Sequence, residues 1–240
     1  MKKILALVLA LVLAVGLVAC GGPSTPTAEP SVAPTAQPSA APSVEPTPEP
    51  TPEPGVEVMT HAEYVAAPLD SAVVIEAYVQ DHQSWWDNKI TVYAQDNDGG
   101  YFMYEMACSE EDAAKLVPGT KIRVSGYKAE WAGEVEIVDA TFEILEGSYI
   151  AEPLNVTELL GTDELIKYQN MAVCFKGMTV EKIEYKNDEP GDDIYVTVSY
   201  NGQSYDFCVE RYLTGPETEV YQAVGALVAG DQIDIEGFLY

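Results

Sequence analysis

The chain has 240 residues, 39 of them acidic and 12 basic, for a formal net charge of −27. So acidic a balance removes the basic stripe on which phosphate-backbone recognition rests, which disfavours nucleic acid as a partner. Two histidines leave little material for acid–base catalysis, and neither sits in an HExxH or opposite a GxSxG serine.

In chain order, Lys2 and Lys3 precede an apolar run from Ile4 to Val18. That run has about the length of a signal-peptide core and is short for a spanning helix. It ends in Leu17-Val18-Ala19-Cys20, which resembles the lipobox of bacterial lipoproteins. The resemblance implies that residues 1–19 are a signal peptide and that the cut falls before Cys20. It also implies a diacylglyceryl group on Cys20 that holds the chain to the extracytoplasmic face of the cell membrane. An ordinary secretory signal with a chance cysteine is the alternative. Residues 20–58 form the expected linker, since eleven of the sixteen prolines fall between 21 and 58. Such a segment has almost nothing to bury and runs extended at about 3.1 Å per residue, roughly 100 Å in all. A stalk of this kind fits a Gram-positive surface.

Two domains are expected beyond it, at 59–148 and 149–240, each with seventeen acids against five bases. Thr60 and Glu63 have capping-box spacing ahead of a short helix. Val73, Ile75, Ala77 and Val79 alternate as one face of a strand. Lys89–Gln95 and Tyr101–Ala107 read as a hairpin around the turn Asp96-Asn97-Asp98-Gly99-Gly100. Ser109 starts a short helix that Pro118-Gly119 ends. Two strands follow, Lys121–Tyr127 and Glu134–Leu145.

The second half repeats the first. Leu116-Val117-Pro118-Gly119-Thr120-Lys121-Ile122-Arg123-Val124-Ser125-Gly126-Tyr127 aligns with Leu227-Val228-Ala229-Gly230-Asp231-Gln232-Ile233-Asp234-Ile235-Glu236-Gly237-Phe238 without a gap. Val73–Val79 aligns with Val173–Thr179, and drift in the alignment is expected in loops alone. Three strands, a helix and two strands is the order of the OB-fold, a five-stranded Greek-key barrel. The run Pro118 to Gly126, with Trp131 after it, looks like the fourth-strand region of exported OB-fold proteins. The whole resembles the tandem OB-fold lipoproteins of Gram-positive bacteria. The expected fold is therefore all-β with short helices: two tandem OB-fold barrels behind a disordered stalk. After Gly237 only three residues remain, so the second barrel is expected to lack its fifth strand.

The three tryptophans fall where loops are expected, Trp85 and Trp86 between strands one and two and Trp131 between strands four and five. In an OB-fold those loops border the groove across strands two and three where ligands bind. Tyr93, Tyr101, Lys89, Lys128, Asp87 and Glu130 are the neighbouring candidates. Packing of the tryptophans into the barrel mouth is the competing reading. Asp96 and Asp98 offer oxygens to calcium, but a hairpin turn needs the same residues. No cofactor is expected. Cys108, Cys174 and Cys208 are expected as thiols, the last two on the outer faces of their strands. The functional expectation is a lipid-anchored, non-catalytic module that binds an extracellular glycan or peptide through the groove of the first barrel. A protein–protein interaction module of the envelope is the alternative, and a single-stranded nucleic-acid binder comes behind both.

Overall fold

A computed structural model describes residues 2–6 as backbone and residues 57–240 in full. Thr60 caps helix α1 (His61–Ala66): its hydroxyl accepts from the Glu63 amide, and the Glu63 carboxylate accepts from the Thr60 amide at 2.8 Å. This is the reciprocal box that the spacing predicts. Strand β2 (Ala72–His82) sends Val73, Ile75, Ala77 and Val79 into the core. Strands β3 (Lys89–Gln95) and β4 (Gly100–Ala107) form the hairpin. Its turn hangs on Asp96, whose Oδ1 accepts from the amides of Asp98 and Gly99 at 2.7 and 2.8 Å. A single turn, α2 (Glu110–Ala113), leads to β5 (Thr120–Trp131) and β6 (Glu134–Ser148). The five strands close in the order β2-β3-β4-β6-β5, with β6 antiparallel to β5 and parallel to β4. That is the OB-fold topology. Strand β5 runs four residues beyond the expected end, so Trp131 terminates a strand. The connection to β6 shrinks to Ala132 and Gly133, both at positive φ (51° and 97°), the requirement of a two-residue type I′ turn.

A connection with a short strand, β7 (Leu154–Asn155), enters the second copy. There β8 (Ala172–Tyr185), β9 (Ile194–Tyr200), β10 (Gln203–Val209), helix α3 (Glu219–Gly225) and β11 (Gln232–Phe238) repeat the first four strands and the helix. The repeat holds at the level of single bonds. Gly119 (φ 93°) donates to the Val79 carbonyl at 2.7 Å, and Gly230 (φ 96°) donates to Val180 at 2.8 Å. Val180, not Thr179, is thus the partner of Val79. The extra residue is accommodated inside a strand, in a bulge of β8 near Gly177 (φ 68°), where Ile233 faces Met178 but Ile235 faces Phe175. Drift is not confined to loops.

No ladder closes the second sheet, but a short strand from the start of the chain stands where β6 stands in the first copy, beside both β11 and β10. Strand β1 (Lys2–Ala6) runs parallel to β11 along its outer edge, Ile4 opposite Ile235, at one end of a sheet whose other end is β10. Those five residues belong to the expected signal peptide. Its remainder, Cys20 and the linker as far as 56 lie outside the described residues.

Residues 57–240 belong to one compact unit. Each copy has its own core, and a third apolar cluster joins them: Tyr93, Phe102, Ala151, Ala172 and Phe238. The Tyr93 ring lies 15° from parallel to Phe238, with centroids 4.5 Å apart. Gly100 makes this approach possible, because a Cβ there would come within 2.3 Å of the Asn170 backbone. Polar pairs flank the cluster. Gln95 Oε1 accepts from the Ala172 amide at 2.8 Å, Asn170 Nδ2 donates to the Val135 carbonyl at 2.9 Å, and Gln83 Nε2 donates to Glu210 at 3.0 Å. Cys108, Cys174 and Cys208 are thiols, all buried. The last two stand outside the second copy's apolar core, as alternation predicts, yet facing away from a core does not place them in solvent.

Candidate binding surface

Tyr93 and Phe102 have the opposite parity to Val92, Ala94, Tyr101 and Met103, which fill the first barrel. They therefore occupy the outer face of β3 and β4, the face where OB-folds take ligands. In this chain the second copy lies on that face. Tyr93 is 1% exposed, so it serves the contact between copies and does not line an open groove. Tyr101 is also buried, for a different reason: it faces the barrel interior beside Tyr64, and its hydroxyl donates to Asp96 at 2.9 Å. Composition marks an aromatic strand but does not say what covers it.

Lys128 departs from expectation in the same way. It is buried, and its ammonium donates to the carbonyls of Tyr64, Val65 and Ala67 at 2.8–3.0 Å. These are carbonyls of the last turn and C-cap of α1, so the lysine acts as a C-terminal cap. Burial holds its pKa below the ordinary value.

The tryptophans separate. Trp85 is half-buried against the first core, and its indole N–H donates to the Cys108 carbonyl at 2.9 Å. Trp86 is 80% exposed. Its amide donates to the Lys89 carbonyl at 3.0 Å and its carbonyl accepts from the Lys89 amide at 2.9 Å, around Asp87 (φ 48°) and Asn88 (φ 59°). Positive φ at both central residues defines a type I′ turn, which fixes the base of the ring without covering its faces. Asp87 is thereby a turn residue. Lys89 is exposed and paired with Glu105 at 2.6 Å, and Glu130 is exposed beside Trp131, which is 44% exposed. Among the described residues no ring contact joins the tryptophans to one another.

One aromatic escaped the sequence reading. Tyr212 is 57% exposed, and its carbonyl accepts from both the amide and the hydroxyl of Ser84, at 2.8 and 3.0 Å. Arg211 stacks over its ring, 5.3 Å from the centroid. The Trp86 hairpin is thus tied to a loop of the second copy, and two exposed rings stand on either side of the seam. No spacing within the sequence links residues 128 positions apart.

Two buried carboxylates were also missed. Both oxygens of Glu134 are buried without a hydrogen-bond partner, as is the Tyr93 hydroxyl. Burial, reinforced by the Glu136 charge, pushes Glu134 up to about 8. Glu210 is pushed up to about 7 by burial and then by the Asp193 charge. Asp96 and Asp98 serve the hairpin turn, and no group of three or more metal-ligating side chains stands together among the described residues.

Fold and topology define a tandem OB-fold protein whose second copy is docked on the first. No family model and no curated protein matches the sequence. Solved structures give distant likenesses. The p202 HIN1 domain, determined with a 12-mer double-stranded DNA, shares 11% identity over 68% of this chain and 87% of its own, at a TM-score of 0.34. A replication protein A heterotrimer bound to single-stranded DNA shares 13% over 64% and 42%, at 0.27. The asparaginyl-tRNA synthetase of Entamoeba histolytica shares 15% over 48% and 31%, at 0.33. Values this low carry no argument about what the present chain binds.

Proposed function

We propose that the chain is a lipid-anchored, non-catalytic binding module on the extracytoplasmic face of a bacterial membrane, cut before Cys20 and carried on the 20–58 linker. Its recognition surface is the loop end around Trp86 and Tyr212, not the strand face that the second copy covers. One observation carries the reading: Trp86 is 80% exposed on a turn whose backbone is closed by two reciprocal hydrogen bonds. An aromatic ring held open to water at a fixed base loses little freedom on binding, and its faces stack on sugar rings or peptide side chains. Net charge favours a neutral glycan or a basic peptide over any polyanion.

A glycan and peptide array probed with the exported protein tests this. Stacking on one ring contributes about 1–3 kcal/mol by analogy with bases, so Trp86→Ala weakens binding about five- to a hundredfold. Its melting transition stays where it was. Trp85→Ala behaves differently, lowering the transition, because its indole bonds to Cys108 and packs on the core. Equal binding by Trp86→Ala, or tighter binding to oligo-dT than to any array member at physiological salt, contradicts the proposal.

A further inference from the structure

We propose that the docking of the second copy on the first is a proton-dependent latch. Glu134, sealed in the seam without a partner, releases the second copy when it ionises, and release uncovers the aromatic face of β3 and β4. Glu134 opens β6 directly after the Ala132–Gly133 turn, and it points away from Val135 and Ile137, which pack on the first core. The second copy grips the backbone on either side of it. Gln169 Nε2 donates to the Gly133 carbonyl at 3.0 Å, Gln169 Oε1 accepts from the Val135 amide at 3.3 Å, and Asn170 Nδ2 donates to the Val135 carbonyl at 2.9 Å. The side chain between them is 2% exposed, and neither carboxylate oxygen has a hydrogen-bond partner. The Tyr93 hydroxyl and Asn170 Oδ1 of the same seam are buried and unbonded too. The titratable groups that bear on this point are Glu136 from β6, Tyr93 from β3, Tyr64 from α1 and Tyr240 from the second copy. Asp81 of β2 and Glu210 of the second copy face Tyr93 in turn. None of these is a cation. Lys128, on the adjoining strand β5, commits its ammonium to the carbonyls at the end of α1.

A protonated carboxyl carries one donor, and Tyr93 and Asn170 hold acceptors in the same seam that no other group uses. An ionised carboxyl is a charge enclosed without a cation, which burial makes costly. The least disruptive relief is local. Each copy has its own core, and one small cluster around Tyr93 and Phe238 joins them, so parting the copies hydrates Glu134 and leaves both cores packed. Glu210, the other buried acid of the seam, does not act this way. Gln83 Nε2 donates to both its oxygens, at 3.2 and 3.0 Å, and its charged form keeps those bonds. Burial holds the Glu134 carboxyl up at about 8 in the docked state, against 4.5 once hydrated. The latch is therefore fully shut below pH 4.5, and between those two values each pH unit favours release about tenfold. The Ser84–Tyr212 tie crosses the same seam, so release also parts Trp86 from Tyr212.

The test is amide exchange in the full chain from pH 5 to pH 8, each rate divided by that of an unstructured peptide at the same pH. Ala172 reports the seam, since its amide is bonded across it to Gln95 Oε1 at 2.8 Å. The β2–β5 and β8–β9 ladders report global unfolding. Protection at Ala172 lies at least about tenfold below that of both ladders, because the copies part more often than the chain unfolds. It falls about a hundredfold or more from pH 5 to pH 8. In Glu134→Gln the profile at Ala172 is flat, and it is flat again in Glu134→Leu, whose side chain needs no partner. Glu130→Gln, which removes an exposed acid of β5, keeps the fall. Ala172 as well protected as the ladders means that the copies part only on unfolding, and overturns the inference. Protection at Ala172 that is independent of pH in the parent chain overturns it as well, whatever the variants do. So does a fall that survives both substitutions at 134. No ligand enters these measurements, so they judge the latch apart from the binding proposed at the loop end.

Discussion

Gly100 stands at the first residue of β4, where that strand packs against the backbone of Asn170 and Met171. A Cβ added there would meet the carbonyl carbon, the oxygen and the next amide of Asn170-Met171 at 2.3–2.6 Å, all of them backbone that cannot swing aside. Gly100→Ala therefore wedges the copies apart, or strains β4, at a cost of about 1–3 kcal/mol. The expected result is a lower melting temperature together with rising exposure of Tyr93 and Phe238, read by quenching and by exchange at Ala172. A variant as stable as the parent contradicts the packing at this point. At Gly99, the residue before, an added Cβ would meet the His61 ring, a side chain and not backbone.

At the scale of elements, much was legible in the sequence because the signals were local. The Thr60–Glu63 box, the Ser109 cap and the Asp96 turn each depend on residues within four positions, and each forms as its spacing implies. Alternation placed Val73 through Val79 inside and paired the two glycines that end the helices. The bulge at Gly177 was hidden because one extra residue in a valine-rich strand leaves the pattern nearly intact. The candidate site was read less well, for a non-local reason. Tyr93, Tyr101 and Lys128 look like surface chemistry when only their own strand is considered. Their burial is decided by Phe238, by Tyr64 and by the carbonyls at the end of α1, none adjacent in sequence. Trp85 and Trp86 are neighbours with opposite fates, which the type I′ turn settles by sending one ring to the core and one to water.

For the whole molecule, buried carboxylates make stability depend on pH in a defined direction. Glu134 is raised from 4.5 to about 8 and Glu210 to about 7, in both cases chiefly by burial. An acid whose folded pKa lies above its unfolded one adds no penalty below about pH 4.5, where both states are protonated. As pH rises past that value the unfolded chain ionises first, and stability is lost until the folded pKa is passed. The loss spans pH 4.5 to 8 and amounts to the order of a few kcal/mol. Melting temperature should therefore be higher at pH 5 than at pH 8, and Glu134→Gln should flatten the slope. Glu76, held low by its bonds to Lys121 and Arg123, acts in the opposite sense but only below its ordinary range. Stability that rises from pH 5 to pH 8 would contradict this assignment.

The docking of the second copy over the ligand face of the first is the claim on which the placement of the binding surface depends. Proton–proton cross-relaxation between the rings of Tyr93 and Phe238 tests it most directly, because the stacked centroids are only 4.5 Å apart. The account predicts strong ring-to-ring cross-peaks in the intact protein and their loss in Gly100→Ala. Absent cross-peaks in the parent chain, with the Tyr93 ring open to a dissolved quencher, would contradict it and return the groove across β3 and β4 to the ligand.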